Sequence, residues 1–273
     1  MTDQTLHLPA LDLPLDARFA RPVGTEPAPL VILVHGFKGF MDWGCWPWVA
    51  GQLNRAGYAT LRFNFSHNGI GADPQAFTEL KRFEANTNSR EVAELGAALR
   101  AAATLPGVDP ARITLLGHSL GGAIALLAAG AAPEAVAGVI TWASIAGLDR
   151  LFGFADQAET WRRQGHMEVA NARTGQIMRL GVGLLEDWEA HKAELDVLAA
   201  LRRYTAARGP RVTAIHGGRD TSVPLEHGRR LAEAGARLVV VPEGDHTFGS
   251  THPFQAEAPA PLREALAATL QAL

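Results

Sequence analysis

The residues with the clearest capacity for chemistry lie in one segment, 112–122, which reads RITLLGHSLGG. A short apolar run predicts a strand, Gly117-His118-Ser119-Leu120-Gly121 interrupts it, and small apolar residues up to Ala129 predict a helix. A G-x-S-x-G turn between a strand and a helix strains the backbone of its serine, and its glycines let the two elements meet. We therefore predict that Ser119 is a nucleophile, although so short a pattern also arises by chance in a chain rich in Gly and Ala.

A serine hydroxyl is a weak nucleophile unless a base accepts its proton and an acid orients that base. Asp220 follows the predicted strand 211–216 in a Gly-rich turn, and His246 follows the predicted strand 237–241. When a serine lies on such a turn, its partners come in the chain order acid, then histidine. We therefore predict Ser119, Asp220 and His246 as a catalytic triad.

Other carboxylates compete with Asp220 for the role of the orienting acid. Asp245 is adjacent to His246, while Asp149 and Asp156 follow the predicted strand 139–145. Taken singly, Asp220 could be a helix N-cap and His246 a surface histidine. We rank Asp220 first because it and His246 each follow a strand in the expected order.

An oxyanion formed during acyl transfer needs two backbone donors. The N–H of Leu120, directly after the nucleophile, is one candidate. The N–H of Phe37, in the loop after the predicted strand 28–34, is the other. Lys38, Trp43, Asn64 and His67 also follow predicted strands and are candidates for the pocket lining, with a purely structural role as the first interpretation. His118, next to the nucleophile, is a further candidate for the lining.

The predicted elements that position these residues alternate between strands and helices. The segment 28–34 is apolar without interruption, which is typical of a parallel strand buried on both faces. Loose alternation over 6–19 predicts an antiparallel hairpin at the sheet edge. The sequence therefore predicts an α/β fold with a doubly wound, mostly parallel sheet and helices on both faces. In such sheets, sites form beyond the carboxyl ends of the strands.

One segment departs from this alternation. Residues 147–210 are too many for one link between a strand and a helix, and 184–204 has helical spacing of apolar residues. We predict a small helical cap or lid at 147–210, inserted into a core formed by 1–146 and 211–273. Ordinary packing of these helices on the sheet is the alternative.

Composition excludes several classes of function. The chain has 273 residues, 47% of them hydrophobic and 19% charged, and a net charge of −3. The chain has no block of Lys and Arg residues that would indicate nucleic-acid binding. It also contains neither the G-x-G-x-x-G motif of dinucleotide binding nor a phosphate-binding P-loop. No cluster has metal-ligand spacing, so neither a metal nor a cofactor is expected. We see no signal peptide and no membrane-spanning run, and Cys45 is the single cysteine, so we expect a cytoplasmic protein. The oligomeric state stays open.

Four segments together resemble the α/β-hydrolase superfamily: HGF at 35–37, GHSLGG at 117–122, HGGRDTSVP at 216–224 and GDHTF at 244–248. Within it, the chain resembles the dienelactone-hydrolase-like and small serine esterase branch. The resemblance implies the α/β-hydrolase fold and an acyl-transfer site. Dienelactone hydrolases carry a cysteine nucleophile, whereas this chain has Ser119.

These observations favour a serine hydrolase that cleaves carboxylic esters with small to medium acyl groups through an acyl-enzyme on Ser119. An acyl-thioesterase or a peptidase would use the same triad, so both remain alternatives. A non-catalytic ligand-binding module on the same scaffold is the alternative from another class. The expected partner is a small-molecule acyl ester.

Overall fold

An eight-stranded sheet forms the centre of the computed structural model, which describes residues 3–24 and 26–273. Met1, Thr2 and Thr25 belong to the predicted 1–146 core and lie outside the described residues, as do the side chains of Arg150, Leu151 and Ala155 in the predicted insertion. The strands of this sheet are β1 (Gln4–Leu8), β2 (Leu15–Ala20), β3 (Ala28–Val34), β4 (Ala59–Phe63), β5 (Val108–His118), β6 (Gly138–Trp142), β9 (Val212–Gly217) and β10 (Arg237–Val241).

The strand order is β1-β2-β4-β3-β5-β6-β9-β10. From β4 to β10 every neighbouring pair is parallel, whereas β1 and β2 form an antiparallel hairpin that joins β4 at one edge. The predicted mostly parallel sheet and its edge hairpin are therefore confirmed. Because the parallel strands run the same way, their carboxyl ends meet along one edge of the sheet.

The burial of β3 explains its uninterrupted apolar sequence. Leu30 and Ile32 belong to the apolar cluster on one face of the sheet, and Val31 and Leu33 belong to the cluster on the other. A strand covered on both faces has no solvent-facing side, so the alternation of polar and apolar residues disappears.

Helices cover both faces of this sheet. The helices are α1 (Trp46–Arg55), α2 (Leu80–Glu84), α3 (Asn88–Ala102), α4 (Leu120–Ala131), α5 (Leu148–Phe152), α6 (Phe154–Gln164), α7 (Val182–Ala190), α8 (Val197–Arg208), α9 (Glu226–Glu233) and α10 (Ala260–Ala272). Buried residues of α1 and α10 pack on one face, and those of α3, α4, α8 and α9 pack on the other. The short helix α2 lies between β4 and α3.

The segment 147–210 contains four helices, α5 to α8, and an antiparallel hairpin of β7 (His166–Ala170) and β8 (Ile177–Gly181). This hairpin is separate from the main sheet, and the sequence pattern did not predict it. Residues 191–196 divide the predicted 184–204 helix into α7 and α8. The helix α8 packs directly on α4. The two backbones are so close that a Cβ at Gly130 would lie 2.6 Å from the carbonyl oxygen of Ala200.

Candidate active site

Ser119 lies at the junction between β5 and α4. Its backbone has φ 55° and ψ −120°, in the left-handed region that non-glycine residues rarely adopt. Its N–H donates to the carbonyl oxygen of Trp142 at 2.9 Å, and its exposed fraction is 6%. Such strain costs about 1–3 kcal/mol and persists only where the surrounding structure imposes it.

The flanking glycines are required by space rather than by φ. A Cβ at Gly117 would lie 2.3 Å from the carbonyl oxygen of Gly121, and a Cβ at Gly121 would lie 2.3 Å from that of His35. Either contact is far inside van der Waals distance. The sequence-based interpretation of these two positions is therefore confirmed.

Asp220 and His246 are brought together from the ends of β9 and β10. The Nδ1 of His246 lies 2.8 Å from Oδ2 of Asp220, while Oδ1 accepts from the N–H groups of Ser222 and Val223 at 2.9 Å and 2.8 Å. Burial alone would raise the pKa of Asp220, but the hydrogen bond and charge of His246 and the N–H of Val223 outweigh it and lower that pKa. The carboxylate is thus ionised and orients the imidazole.

The competing acids have other surroundings in the described structure. Oδ1 of Asp245 accepts from the N–H groups of Thr247 and Gly249 at 3.0 Å and 2.7 Å, so this carboxylate caps its own turn. Asp149 and Asp156 lie in the first turns of α5 and α6. Within residues 3–24 and 26–273, Asp220 is the acid that hydrogen-bonds to His246.

Ser119 and His246 line one cavity of about 290 Å³, called here the Ser119 cavity. Because Nδ1 of His246 is bonded to Asp220, the other ring nitrogen is available for proton transfer. The lining residues are Gly36, Phe37, Lys38, Gly39, Trp43, Trp46, His118, Ser119, Asn171, Ala172, Arg173, His246 and Thr247.

His118 connects the serine turn to the loop that carries His246. Its Nε2 lies 2.8 Å from the carbonyl oxygen of His246, and the two ring centroids are 4.7 Å apart. Burial, helped by repulsion from His246, lowers the pKa of His118 to about 3. Its imidazole is therefore neutral, and because a carbonyl only accepts, Nε2 carries the proton.

The predicted oxyanion donors, the N–H groups of Leu120 and Phe37, both belong to residues next to the serine turn or in the cavity that it lines. Leu120 is the first residue of α4, where backbone N–H groups have no acceptor within the helix. The loop after β3 lies against the serine turn, since a Cβ at Gly36 would be 2.9 Å from the carbonyl oxygen of His118. Phe37 follows in that loop, and its N–H has no acceptor among the described residues.

The other predicted lining residues divide into two groups. Lys38 and Trp43 line the Ser119 cavity, but Asn64 and His67 are not among its described lining residues. Oδ1 of Asn64 accepts from the N–H of Met41 at 2.8 Å, and Nδ1 of His67 lies 2.7 Å from Oγ of Ser66. Both side chains are buried and hold the loops after β3 and β4, which agrees with the structural role given first place for them.

Sequence reasoning missed the hairpin residues Asn171, Ala172 and Arg173. They lie in the β7–β8 turn, which the carbonyl oxygen of Asn171 closes by accepting from Gly175 N–H at 2.8 Å. The segment NARTG has the turn composition of Asn and Gly that could have indicated a hairpin. Nothing local in the sequence shows that this turn reaches the serine.

A larger cavity of about 430 Å³ lies at the opposite edge of the sheet, near the amino ends of the strands. Arg112, Arg211 and Arg237 contribute to its lining, but neither Ser119 nor the Asp220–His246 pair does.

Within residues 3–24 and 26–273, no cluster of His, Cys, Asp and Glu could hold a metal ion, and no helix combines the length and apolarity needed to cross a membrane.

Comparison with known families agrees with this geometry. Residues 31–265 match the family model described as the alpha/beta hydrolase family. The chain belongs to that family. The resemblance expected from the four sequence segments, and the α/β-hydrolase fold it implies, are thereby confirmed.

Solved structures with the same hydrolase fold cover nearly the whole chain. Est1E from Butyrivibrio proteoclasticus is 20% identical with a TM-score of 0.70, covering 98% of this hydrolase and 96% of Est1E. Mouse alpha/beta hydrolase domain-containing protein 10 is 20% identical with a TM-score of 0.68, covering 97% and 96%. A dienelactone hydrolase from Anabaena variabilis is 17% identical with a TM-score of 0.64, covering 99% and 95%.

Among curated proteins, a dihydrolipoyllysine-residue acetyltransferase component of an acetoin cleaving system from Pseudomonas putida is 29% identical over 245 residues. The match covers 82% of this chain and 60% of that relative. The chain thus spans about three fifths of the relative's length.

Proposed function

We propose that this hydrolase is a serine carboxylesterase that forms an acyl-enzyme on Ser119. The observation that carries the proposal is the 2.8 Å hydrogen bond between His246 and an ionised Asp220, beside a cavity that also exposes the strained Ser119. A nucleophile, an oriented base and its acid are the parts that acyl transfer needs.

In the proposed reaction, Oγ of Ser119 attacks the ester carbonyl carbon while the free ring nitrogen of His246 accepts the hydroxyl proton. The tetrahedral oxyanion is held by the N–H groups of Phe37 and Leu120 and by the positive end of α4. Collapse breaks the ester bond, and His246 gives its proton to the departing alcohol. Water, deprotonated by His246, then attacks the acyl carbon; the bond between that carbon and Oγ of Ser119 breaks, the acid leaves, and His246 returns its proton to Oγ.

The size and walls of the Ser119 cavity favour small to medium acyl groups. Its volume of about 290 Å³ lies near the lower end of small-molecule sites, which span roughly 300–1,000 Å³. Phe37, Trp43 and Trp46 supply apolar and aromatic surface. One related fold has been solved as Est1E with bound ferulic acid, an aromatic carboxylic acid, which is compatible with such a lining.

We further propose that residues 147–210 act as a cap. The β7–β8 turn of this segment forms one wall of the Ser119 cavity. A cap on this edge shapes the acyl pocket and limits the contact of the reacting ester with bulk water, while the water that hydrolyses the acyl-enzyme still enters.

Labelling with a fluorescent fluorophosphonate, followed by mapping of the labelled peptide, tests the proposal. We expect modification at Ser119 that is abolished in Ser119→Ala and strongly slowed in His246→Ala. His191→Ala, which removes an exposed histidine outside the Ser119 cavity, is the control and should label normally. A folded wild type that resists labelling would contradict the proposal and favour a non-catalytic binding module.

A panel of esters, thioesters and aminoacyl amides then separates the enzymes that share this triad. We expect esters with small to medium acyl groups to have the highest kcat/KM. A thioester or amide preference would instead assign the protein to the thioesterases or peptidases.

A further inference from the structure

The side chains that carry a fixed charge in the described lining of the Ser119 cavity are positive. Lys38 and Arg173 both contribute, and no aspartate or glutamate among the described residues lines the cavity. Within residues 3–24 and 26–273, neither cation forms an ion pair with an acidic side chain. Two unneutralised cations beside apolar walls leave a local positive potential that an anion would neutralise.

Asn171 adds a buried donor at the same wall. Its side chain is 5% exposed, and its Oδ1 accepts from the N–H of Arg173 at 3.1 Å. Because this hydrogen bond uses the oxygen of the amide, the other polar atom of the side chain is the donor Nδ2. Among the described residues, Nδ2 has no hydrogen-bond partner. A buried donor without an acceptor destabilises the empty site, and a bound acceptor would remove that cost.

Lys38 is held against the hairpin that carries Asn171. Its backbone has φ 55°, and its Nζ donates to the carbonyl oxygen of Ala170, directly before Asn171, at 2.7 Å. One of the three ammonium protons is thus used, and two remain available. Lys38 is half-buried, and this burial lowers its pKa.

Arg173 supplies a second cation within two residues of Asn171. Arg173 is exposed, and its guanidinium carbon lies 5.9 Å from the centroid of the buried Phe40 ring in the loop after β3. A guanidinium presents paired donors that match the two oxygens of a carboxylate.

We propose that Asn171, Arg173 and Lys38 form a carboxylate subsite, so that the preferred ester carries an anionic carboxylate in addition to its scissile bond. The inference rests on the proposed esterase function and deepens it. The neutral amide of Asn171 and the two cations would bind the carboxylate oxygens while the aromatic walls hold the connecting carbon chain.

The test compares matched substrates that differ only in charge. For the acyl side we use 4-nitrophenyl hydrogen adipate against 4-nitrophenyl adipamate, and for the alcohol side 4-carboxyphenyl butyrate against 4-carbamoylphenyl butyrate. We expect the anionic member to have roughly tenfold higher kcat/KM in at least one pair, the size of one charge-assisted hydrogen bond. The pair that responds identifies which side of the ester the subsite reads.

Variants then assign this preference to the subsite. Arg173→Gln and Lys38→Met should each lower the anionic-to-neutral ratio roughly tenfold. Arg179→Gln is the matched control, because it removes the same charge from the same hairpin. Arg179 does not line the cavity, and its Nε lies 3.6 Å from Oε1 of Glu168. Equal activity on both members of both pairs, or an equal change in Arg173→Gln and Arg179→Gln, overturns the inference.

Binding separates this inference from the proposed function. Adipate titrated calorimetrically into Ser119→Ala should bind, and Arg173→Gln in that background should weaken the affinity roughly tenfold. If wild type labels at Ser119 but adipate does not bind and no charge preference exists, the inference alone fails. If wild type does not label, the esterase proposal fails, and the adipate titration still decides the subsite.

Discussion

Asp220 illustrates how burial and hydrogen bonding oppose each other at a single residue. Burial would raise the pKa of this carboxyl, yet the hydrogen bond and charge of His246 and the backbone N–H of Val223 lower it. A lowered carboxyl pKa stabilises the folded state above the unfolded value and loses that stabilisation as pH falls through the folded value. Asp220 therefore remains ionised throughout the neutral and mildly acidic range.

Asp220→Asn should lower kcat for the best ester about 10³–10⁴-fold, because an amide cannot hold the imidazole in the tautomer that accepts the Ser119 proton. Steady-state kinetics measure this loss. The matched control is Asp245→Asn, since that carboxylate caps its own turn, and it should change kcat far less. Equal losses in the two variants would place the orienting acid elsewhere.

His118→Ala removes the bond between the serine turn and the carbonyl of His246. Loss of one neutral hydrogen bond corresponds to about 0.5–1.5 kcal/mol, so we expect kcat to fall up to roughly tenfold. Since burial and His246 lower the pKa of His118 to about 3, the shape of the pH–rate profile above pH 5 should be unchanged. An altered profile would show that His118 itself exchanges protons with the substrate.

The helix α3 carries two buried glutamates, which is unusual for an element that packs against the sheet. Glu94 accepts from the N–H of Ser66 at 3.0 Å, and Glu91 accepts from Nδ2 of Asn86 at 2.8 Å. Burial raises the pKa of Glu91 to about 8, with a further contribution from Glu94. These polar groups link α3 to the chain segments before it and after β4.

Glu91→Gln should stabilise the protein at pH 9 but have little effect at pH 5. The folded pKa of about 8 exceeds the ordinary value of 4.5, so the folded state retains a proton that the unfolded chain has released, and stability falls as pH rises through that window. Glutamine removes this dependence, and each kcal/mol regained raises Tm by about 2–4 °C.

Thermal melting at the two pH values provides the measurement, with the exposed Glu233→Gln as the control. A variant-to-wild-type difference that is the same at pH 5 and pH 9 would contradict the titration of Glu91.

At the scale of an element, the β7–β8 hairpin shows that burial in the folded chain, rather than local sequence, distinguishes a short strand from a helix. In β8, Met178 and Leu180 are buried while Ile177 and Arg179 are exposed, which is the period-two pattern of a half-buried strand. Five residues are too few to separate that pattern from a helical one, so the sequence predicted only helix in this segment.

At the scale of the whole molecule, the 147–210 segment shares its core with the sheet. Phe154, Trp161 and Leu185 belong to the same buried apolar cluster as Leu30 and Ile32. Elements that share one core lose its burial energy together when either part unfolds.

We therefore expect one cooperative unfolding transition, with equal calorimetric and van't Hoff enthalpies, in differential scanning calorimetry. Far-ultraviolet and near-ultraviolet circular dichroism should give coincident melting curves. An earlier separate transition would show that 147–210 folds and melts as an independent unit.

Local sequence determined the main sheet, the serine turn and the order of Ser119, Asp220 and His246. Strand burial on both faces produces uninterrupted apolar runs. Close packing of the serine turn admits only glycine at two positions, since Gly117 lies against the start of α4 and Gly121 lies against the end of β3. The contact between Asp220 and His246 also followed, because parallel strands bring their carboxyl ends to one edge.

Only the tertiary structure decided which side chains form the wall opposite Ser119. Asn171 and Arg173 are about fifty residues from it in sequence, and a turn of any composition at that distance can point toward or away from the site. Asn64 and His67 illustrate the converse, since they follow β4 but do not line the cavity: Asn64 accepts from the N–H of Met41, and His67 lies in hydrogen-bond contact with Ser66 of its own loop. Long-range packing sets such orientations, and packing depends on the shapes of distant surfaces rather than on local periodicity.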